Sequence, residues 1–419
     1  MFRRKNHVSA SLGRIAWKKL LHDPLAVSGL GVITLAVMVA LLGYLITPDQ
    51  SPNCNRQYLE LSARPPGFSV TILKVRKNEP EKGGSKWHTM LHGKISPYDH
   101  IPVNRFRFEN SRVMAEEFSD MPGETLFLRE FSLPDVVYAI DPLKPVSTEG
   151  DRVSFTLLDG THATASLSSL QEQILENLVV QQKFLLGTDR FGRDLLSRLM
   201  LGTRISLSVG FISVFISLVI GIGIGAAGGY FRGWTDSFVL WLINVVWSVP
   251  TLLMVIAITL VLGKGFWQIF VAVGLTMWVE VARVVRGQVL GIREKEYVEA
   301  ARAMGFPHFR ILFRHILPNA FSPVIIISAA NFASAILIEA GLSFLGIGVQ
   351  PPLPSWGTMI KDHYGYIIMD QAYLAILPGL AIMLMVLSFT LLGNGLRDAL
   401  DTRTLSGSEL KVPLVQDQS

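Results

Sequence analysis

The 419 residues are 50% hydrophobic and only 17% charged, against roughly 25% charged in an average soluble domain, which excludes an ordinary soluble protein of this length. The mean hydropathy is +0.39 while the net charge is +5 and the pI about 9.2. No clustered basic face with a reading element accompanies that charge, so positive-inside bias explains it better than a nucleic-acid partner, and the single cysteine, Cys54, excludes a disulfide framework and a Cys-based zinc site.

In chain order, residues 1–24 form a basic N-terminal segment carrying Arg3, Arg4, Lys5, Arg14, Lys18 and Lys19. The apolar run that follows is too long for a signal-peptide core and lacks a small-residue cleavage pattern, so it reads as an uncleaved anchor, span one, over residues 25–47. A spanning helix needs about 20 apolar residues. Charge-free runs at 24–48, 205–231, 237–263, 265–279, 316–338 and 371–396 therefore give six spans, the fourth extending inward through Glu280 towards Arg283. A further uncharged run, 340–360, contains Pro351, Pro352 and Pro354 and reads as the end of span five followed by irregular chain.

The excess of Lys and Arg sets the orientation. The N-terminal cluster, Arg232, and the group from Arg283 to Arg314 fall on the cytoplasmic side, as does a tail from 397 to 419, so both termini are cytoplasmic. Residues 48–183, in which acidic residues slightly outnumber basic ones, and the short turn at Lys264 fall outside. The fold class is thus an all-α polytopic membrane protein with six transmembrane helices, and a small α+β extracytoplasmic domain inserted between helices 1 and 2. Residues 184–396 form its membrane core, with a cytoplasmic loop at 285–318.

Within the insertion, residues 151–167 alternate Val153, Phe155 and Leu157 before the tight-turn pair Asp159-Gly160, which predicts a hairpin. Residues 67–75 and 136–140 are strand candidates, and 167–180 a short helix capped by Ser168 or Ser169. His88 and His92 stand one helical turn apart, but Gly83-Gly84 nearby argues against a helix and no third ligand is evident, so no metal is expected.

In span two, Gly221, Gly225 and Gly229 recur every four residues, a spacing that lets helix backbones approach closely in lipid. The alternative is a glycine-rich but unpaired helix. Before that span, Asp189, Arg190, Arg193, Asp194 and Arg198 could form an ion-pair network or touch cargo, the network being favoured. Glu339, near the outer end of span five, could line a pathway or anchor the following turn.

The segment after span four reads as a helix from Tyr297 ended by Gly305, which accepts a left-handed backbone cheaply. A second short helix from His308 then places Phe309, Leu312, Phe313 and Ile316 on one side. Such a knob fits a cleft on another protein or the lipid surface. No phosphate-binding loop, His-Glu-x-x-His motif or nucleophile elbow occurs, so no enzyme activity is expected.

Glu299-Ala300-Ala301, Gly305 four residues on, and Leu317-Pro318 resemble the EAA motif of ABC-importer permeases, with His315 where the pattern has Ile. Residues 186–198, 340–352 and 395–401 are similar to signatures of the C-type permease subunit of dipeptide, oligopeptide and nickel importers. Asn244 and Asn394 stand where that family often has Asp. The resemblance implies a multi-pass subunit of the cell inner membrane. Its coupling helix, Glu299, Ala300, Ala301 and Gly305 with Leu317 and Pro318, docks an ATPase. Its implied partners are a homologous second permease, two ABC ATPases and an extracytoplasmic substrate-binding protein. ATP is used by those partners, and this chain binds no cofactor. Two alternatives remain at this point: nickel or another small solute as cargo, and a membrane-anchored outer domain with an enzymatic or sensing role.

Overall fold

The computed structural model describes residues 12–80, 85–119, 128–263 and 265–400. Arg3, Arg4, Lys5, Gly83, Gly84, Lys264 and Asp401 lie outside these residues.

Helix α1 (Leu12–Leu20) leads through Asp23, whose side chain accepts the Leu25 N–H, into α2 (Pro24–Leu42), with Pro24 in the first turn where no N–H is needed. The chain then forms strand β1 (Phe68–Arg76), helix α3 (Lys86–His92), and strands β2 (Tyr98–Glu109), β3 (Arg112–Glu117) and β4 (Leu128–Ser132). Helix α4 (Leu133–Val137), strands β5 (Ser147–Glu149), β6 (Arg152–Thr156) and β7 (His162–Ser166), helix α5 (Leu167–Gln173) and strand β8 (Val179–Phe184) follow. One antiparallel sheet has the order β4-β3-β2-β1-β8 and a second the order β5-β6-β7. Leu73, Val75, Val103 and Val113 of the larger sheet pack against Leu133, Val136, Leu170 and Ile174 of the helices.

The Asp159-Gly160 turn joins β6 to β7 as expected. Residues 136–140 are not a strand. Pro134 and Asp135 suit a helical first turn, giving α4, and only Ile140 bridges, to Leu157. Ser166, rather than Ser168 or Ser169, caps α5, and the β-branched pair Val179-Val180 joins β1 as β8 instead of prolonging the helix. Ser85 caps α3, so His88 and His92 do share a helix, with their rings stacked at 4.9 Å. Among the described residues no group of three or more His, Cys, Asp or Glu could hold a metal.

The remaining helices are α6 (Leu195–Phe231), α7 (Gly233–Trp247), α8 (Thr251–Leu262), α9 (Phe266–Ile292), α10 (Glu296–Ala303), α11 (His308–Ile311), α12 (Leu317–Phe344), α13 (Trp356–His363) and α14 (Tyr373–Leu400). Among the described residues five helical stretches are long and apolar enough to cross a membrane. The sixth, expected as one run over 237–263, is instead the pair α7 and α8, bent by 89°. Pro250 ends the first helical path, and Thr251 begins the second. Helix α6 starts ten residues before its charge-free run, because Asp194 caps it and the early arginines find partners. Its long packing against α9 is the centre of the helical part, with α12 and α14 alongside.

Candidate functional site

Helix α10 and the chain after it make a knob at the ends of α6, α9 and α12. Val298 and Ala301 are buried with Val285, Val289, Tyr230 and Leu317. Glu299 and Ala300 face outward, Glu299 in the first turn where a carboxylate complements the helix dipole. Gly305 has φ +75°, its N–H donating to Arg302 O at 2.9 Å while Phe306 N–H reaches Ala301 O at 3.2 Å, so the chain reverses there. Leu317 is buried and Pro318 occupies the tolerated first turn of α12.

The expected face of Phe309, Leu312, Phe313 and Ile316 does not form. Residues 312–316 make a wider π turn, so Ile311 and Ile316 turn inward while Phe309 and Phe313 stack on each other and stay 76% and 61% exposed. With Met304 and Tyr297, also exposed, they form an apolar outer surface. A 3.6-residue period could not anticipate this rotation. The knob is clasped from below: Tyr230 Oη pairs with His308 Nδ1 at 2.9 Å, and Arg293 Nη1 donates to Tyr230 O at 2.6 Å. Tyr230 and His308 carry no motif, and sequence reasoning missed them.

Gly221, Gly225 and Gly229 lie on the α6 face against α9. A Cβ at Gly221 would stand 2.7 Å from Trp278 O and one at Gly229 2.8 Å from Arg286 O, while one at Gly225 would strike Ala282 O. These three glycines let the two backbones touch.

Asp189, fully buried, accepts the N–H groups of Phe191 (2.8 Å) and Arg193 (2.9 Å) and the Arg193 Nε–H at 2.6 Å, with Arg198 Nε 3.6 Å away. Asp194 accepts the Ser197 N–H and hydroxyl, and its burial pushes the carboxyl pKa up against those bonds. Arg190 pairs with Asp362 at 3.1 Å. Glu339 is buried, receiving the Ser343 hydroxyl at 2.7 Å, and Ser343 Oγ in turn accepts the Val349 N–H. It therefore holds the turn after α12.

Two cavities flank α12. One of about 550 Å3 lies between α9, α12 and α14, with Ser334, Thr390, Asn394 and Arg397 among apolar walls. The other, about 200 Å3, includes Thr276, Glu280 and Ser334 beside the α7–α8 bend. Ser334 borders both. Sequence reasoning singled out Asn394 but not Ser334 or Glu280.

Residues 218–406 match the family described as the inner membrane component of binding-protein-dependent transport systems, and residues 11–66 match the N-terminal transmembrane domain of oligopeptide transport permease C. The chain is 42% identical to the glutathione transport system permease protein GsiD of Pectobacterium atrosepticum over 221 residues, covering 53% of this chain and 73% of that one. The chain belongs to this permease family. The di/tripeptide permease DppC of Pseudomonas aeruginosa is 42% identical over 224 residues (53% and 73%), and the dipeptide permease DppC of Alkalihalophilus pseudofirmus 40% over 220 (52% and 72%). An inward-facing structure of the MetNI methionine ABC transporter aligns with TM-score 0.41 and 22% identity, over 49% of this chain and 96% of that one. By its family matches and these relatives the chain is a multi-pass ABC-transporter permease, and the two family matches leave residues 67–217 between them.

Proposed function

We propose that this permease is one half of the pathway of an ATP-driven importer of di- or oligopeptides. A homologous second permease completes it, two ATPase subunits dock on Glu299–Gly305, and an extracytoplasmic binding protein delivers cargo. In this reading the bent pair counts as a sixth span, both termini are cytoplasmic and residues 48–183 lie outside. Boundaries at 24, 47, 183 and 396 separate tail, first span, outer domain, membrane core and C-terminal tail. The chain binds no cofactor in this reading, and ATP turnover occurs in the partners.

The observation that carries the reading is the exposed apolar cap of Met304, Phe309 and Phe313 on a knob whose other side is packed into three long helices. An ATPase seated there pushes on Val298 and Ala301. The push passes to Val285 and Val289 of α9, to Tyr230 of α6 and to Leu317 of α12. Because the glycine seam joins α6 to α9, these helices move together and reorient the cavities beside α12 between the two sides. The cargoes for which the relatives are named, glutathione and di- or tripeptides, support peptides over nickel.

The test is co-purification with the ATPases plus uptake of labelled dipeptide and labelled nickel in a strain lacking the gene. Glu299→Lys and Gly305→Asp are expected to abolish both association and dipeptide uptake. If both survive, the docking assignment is wrong; if only nickel is taken up, the cargo assignment is.

A further inference from the structure

The outer sheets carry a cleft that the transport reading does not use. Its volume is about 480 Å3, within the range of small-molecule sites, and its walls include Arg56, Tyr58, Lys77, Asp99, His100 and Arg129. Tyr58 is 3% exposed, and its hydroxyl hydrogen has no acceptor in the chain. The His100 Nδ1 is likewise buried and unpartnered. Ser96 Oγ accepts the Tyr98 N–H at 3.2 Å and stands 3.0 Å from His100 Nε2; donation of the Ser96 hydrogen to Nε2 puts the neutral ring's proton on Nδ1. In that arrangement two buried donors lack acceptors, and such groups are costly unless something satisfies them.

Basic side chains outnumber acidic ones on the walls around them. Arg56, Lys77 and Arg129 line the cleft against Asp99 alone, although each base also has an acidic neighbour: Asp49 at 3.7 Å, Asp99 at 3.3 Å and Glu117 in contact. The wall bearing Arg56 and Tyr58 is fixed to the start of α6, since Arg193 Nη1 donates to Asn55 Oδ1 at 3.0 Å and Tyr58 N–H to Phe191 O at 3.1 Å. Held donors beside guanidinium groups, whose remaining N–H donors can reach a ligand, suit a planar, anionic acceptor.

We infer that this cleft binds a small carboxylate-bearing molecule, with Tyr58 Oη and His100 Nδ1 donating to its carboxylate and Arg56 and Arg129 balancing its charge. The inference stands apart from the transport reading, because the purified chain alone suffices to test it. Calorimetric titration of the full chain in lipid nanodiscs would compare alanyl-alanine, succinate and alanyl-alanine amide. The two carboxylates are expected to bind saturably and the amide on the order of tenfold more weakly. Arg129→Gln and His100→Ala should each weaken carboxylate binding by a similar factor. Tyr58→Phe keeps the buried ring and removes only its hydroxyl, so it should fold and still lose affinity. Absence of saturable carboxylate binding, equal affinity for acid and amide, or affinity unchanged in both Tyr58→Phe and Arg129→Gln would overturn the assignment.

Discussion

His100 shows how much one side chain's surroundings decide. Burial, with Arg56, Lys74 and Lys77 adding to it, brings its pKa down to about 3. The unfolded chain binds a proton on this ring below the ordinary value of about 6.5, while the folded chain does not, so stability falls as pH drops from about 6.5 towards 3. At pH 5 the loss relative to pH 7.5 should be up to about 2 kcal/mol. His363, also lowered chiefly by burial, contributes with the same sign, so the check is a difference. Melting temperatures of wild type and His100→Asn, measured at both pH values, should show a smaller acid loss in the variant, and equal losses would refute it. Asp189 is the opposite kind of residue, charged and buried with its partners. Asp189→Asn leaves Arg193 and Arg198, both about 5% exposed, without their counter-charge, an expected cost of about 3–5 kcal/mol that a thermal melt in detergent would register. A melt unchanged from wild type would mean the network contributes nothing.

Among elements, α6 is the one whose sequence carried most of its structure. Its four-residue glycine spacing predicted a close helix contact, and the partner is α9. The same helix supplies its own control. Gly225→Val should drive a side chain into the Ala282 carbonyl and destabilise by about 1–3 kcal/mol, whereas Gly223→Val meets nothing within 4 Å and should be tolerated. Fluorescence-detected size-exclusion melts of the two variants separate these outcomes, and equal behaviour would remove the seam. The capping of α10 by Gly305 was legible for a related reason, because a left-handed position is written in a single residue. Legibility ended where tertiary contacts overrode a local period. A strand was expected at 136–140, but Pro134 and Asp135 start a helix that packs on β1. One face was expected after His308, but a π turn splits it. Charge-free runs located the spans yet missed the ten charged-flank residues at the start of α6, whose arginines also reach carbonyls distant in sequence, Asn53 O and Ala40 O. The cleft around His100 was not legible either, since its walls come from segments more than 70 residues apart.

Across the whole molecule, the question is what holds the outer sheets to the helices. Arg204 of α6 answers much of it, because one guanidinium reaches the ends of two other helices. Its Nε–H donates to Ala40 O at 2.8 Å at the end of α2, while Nη2 and Nη1 donate to Met90 O (2.9 Å) and Leu91 O (3.1 Å) at the end of α3. Those carbonyls are the ones a helix leaves unsatisfied at its C-terminus. Gly43, at φ +43°, gives the guanidinium its room, since a Cβ there would strike it. A lysine offers three donors on a single point charge and cannot repeat a planar fork aimed at separate carbonyls. Arg204→Lys should therefore uncouple α3 from the end of α2 without unfolding either the sheets or the α6–α9 pair. Each carbonyl left unpaired costs about 1–3 kcal/mol, so amide exchange in residues 86–93 and 39–45 should quicken by roughly ten- to a hundredfold. Exchange along β1, β2 and the Gly221–Gly229 stretch of α6 should stay as in wild type. Hydrogen–deuterium exchange by mass spectrometry in nanodiscs resolves these segments. Unchanged rates at 86–93 would show that Arg204 does not hold this junction, and faster exchange everywhere would show that Arg204 supports the fold as a whole rather than this junction.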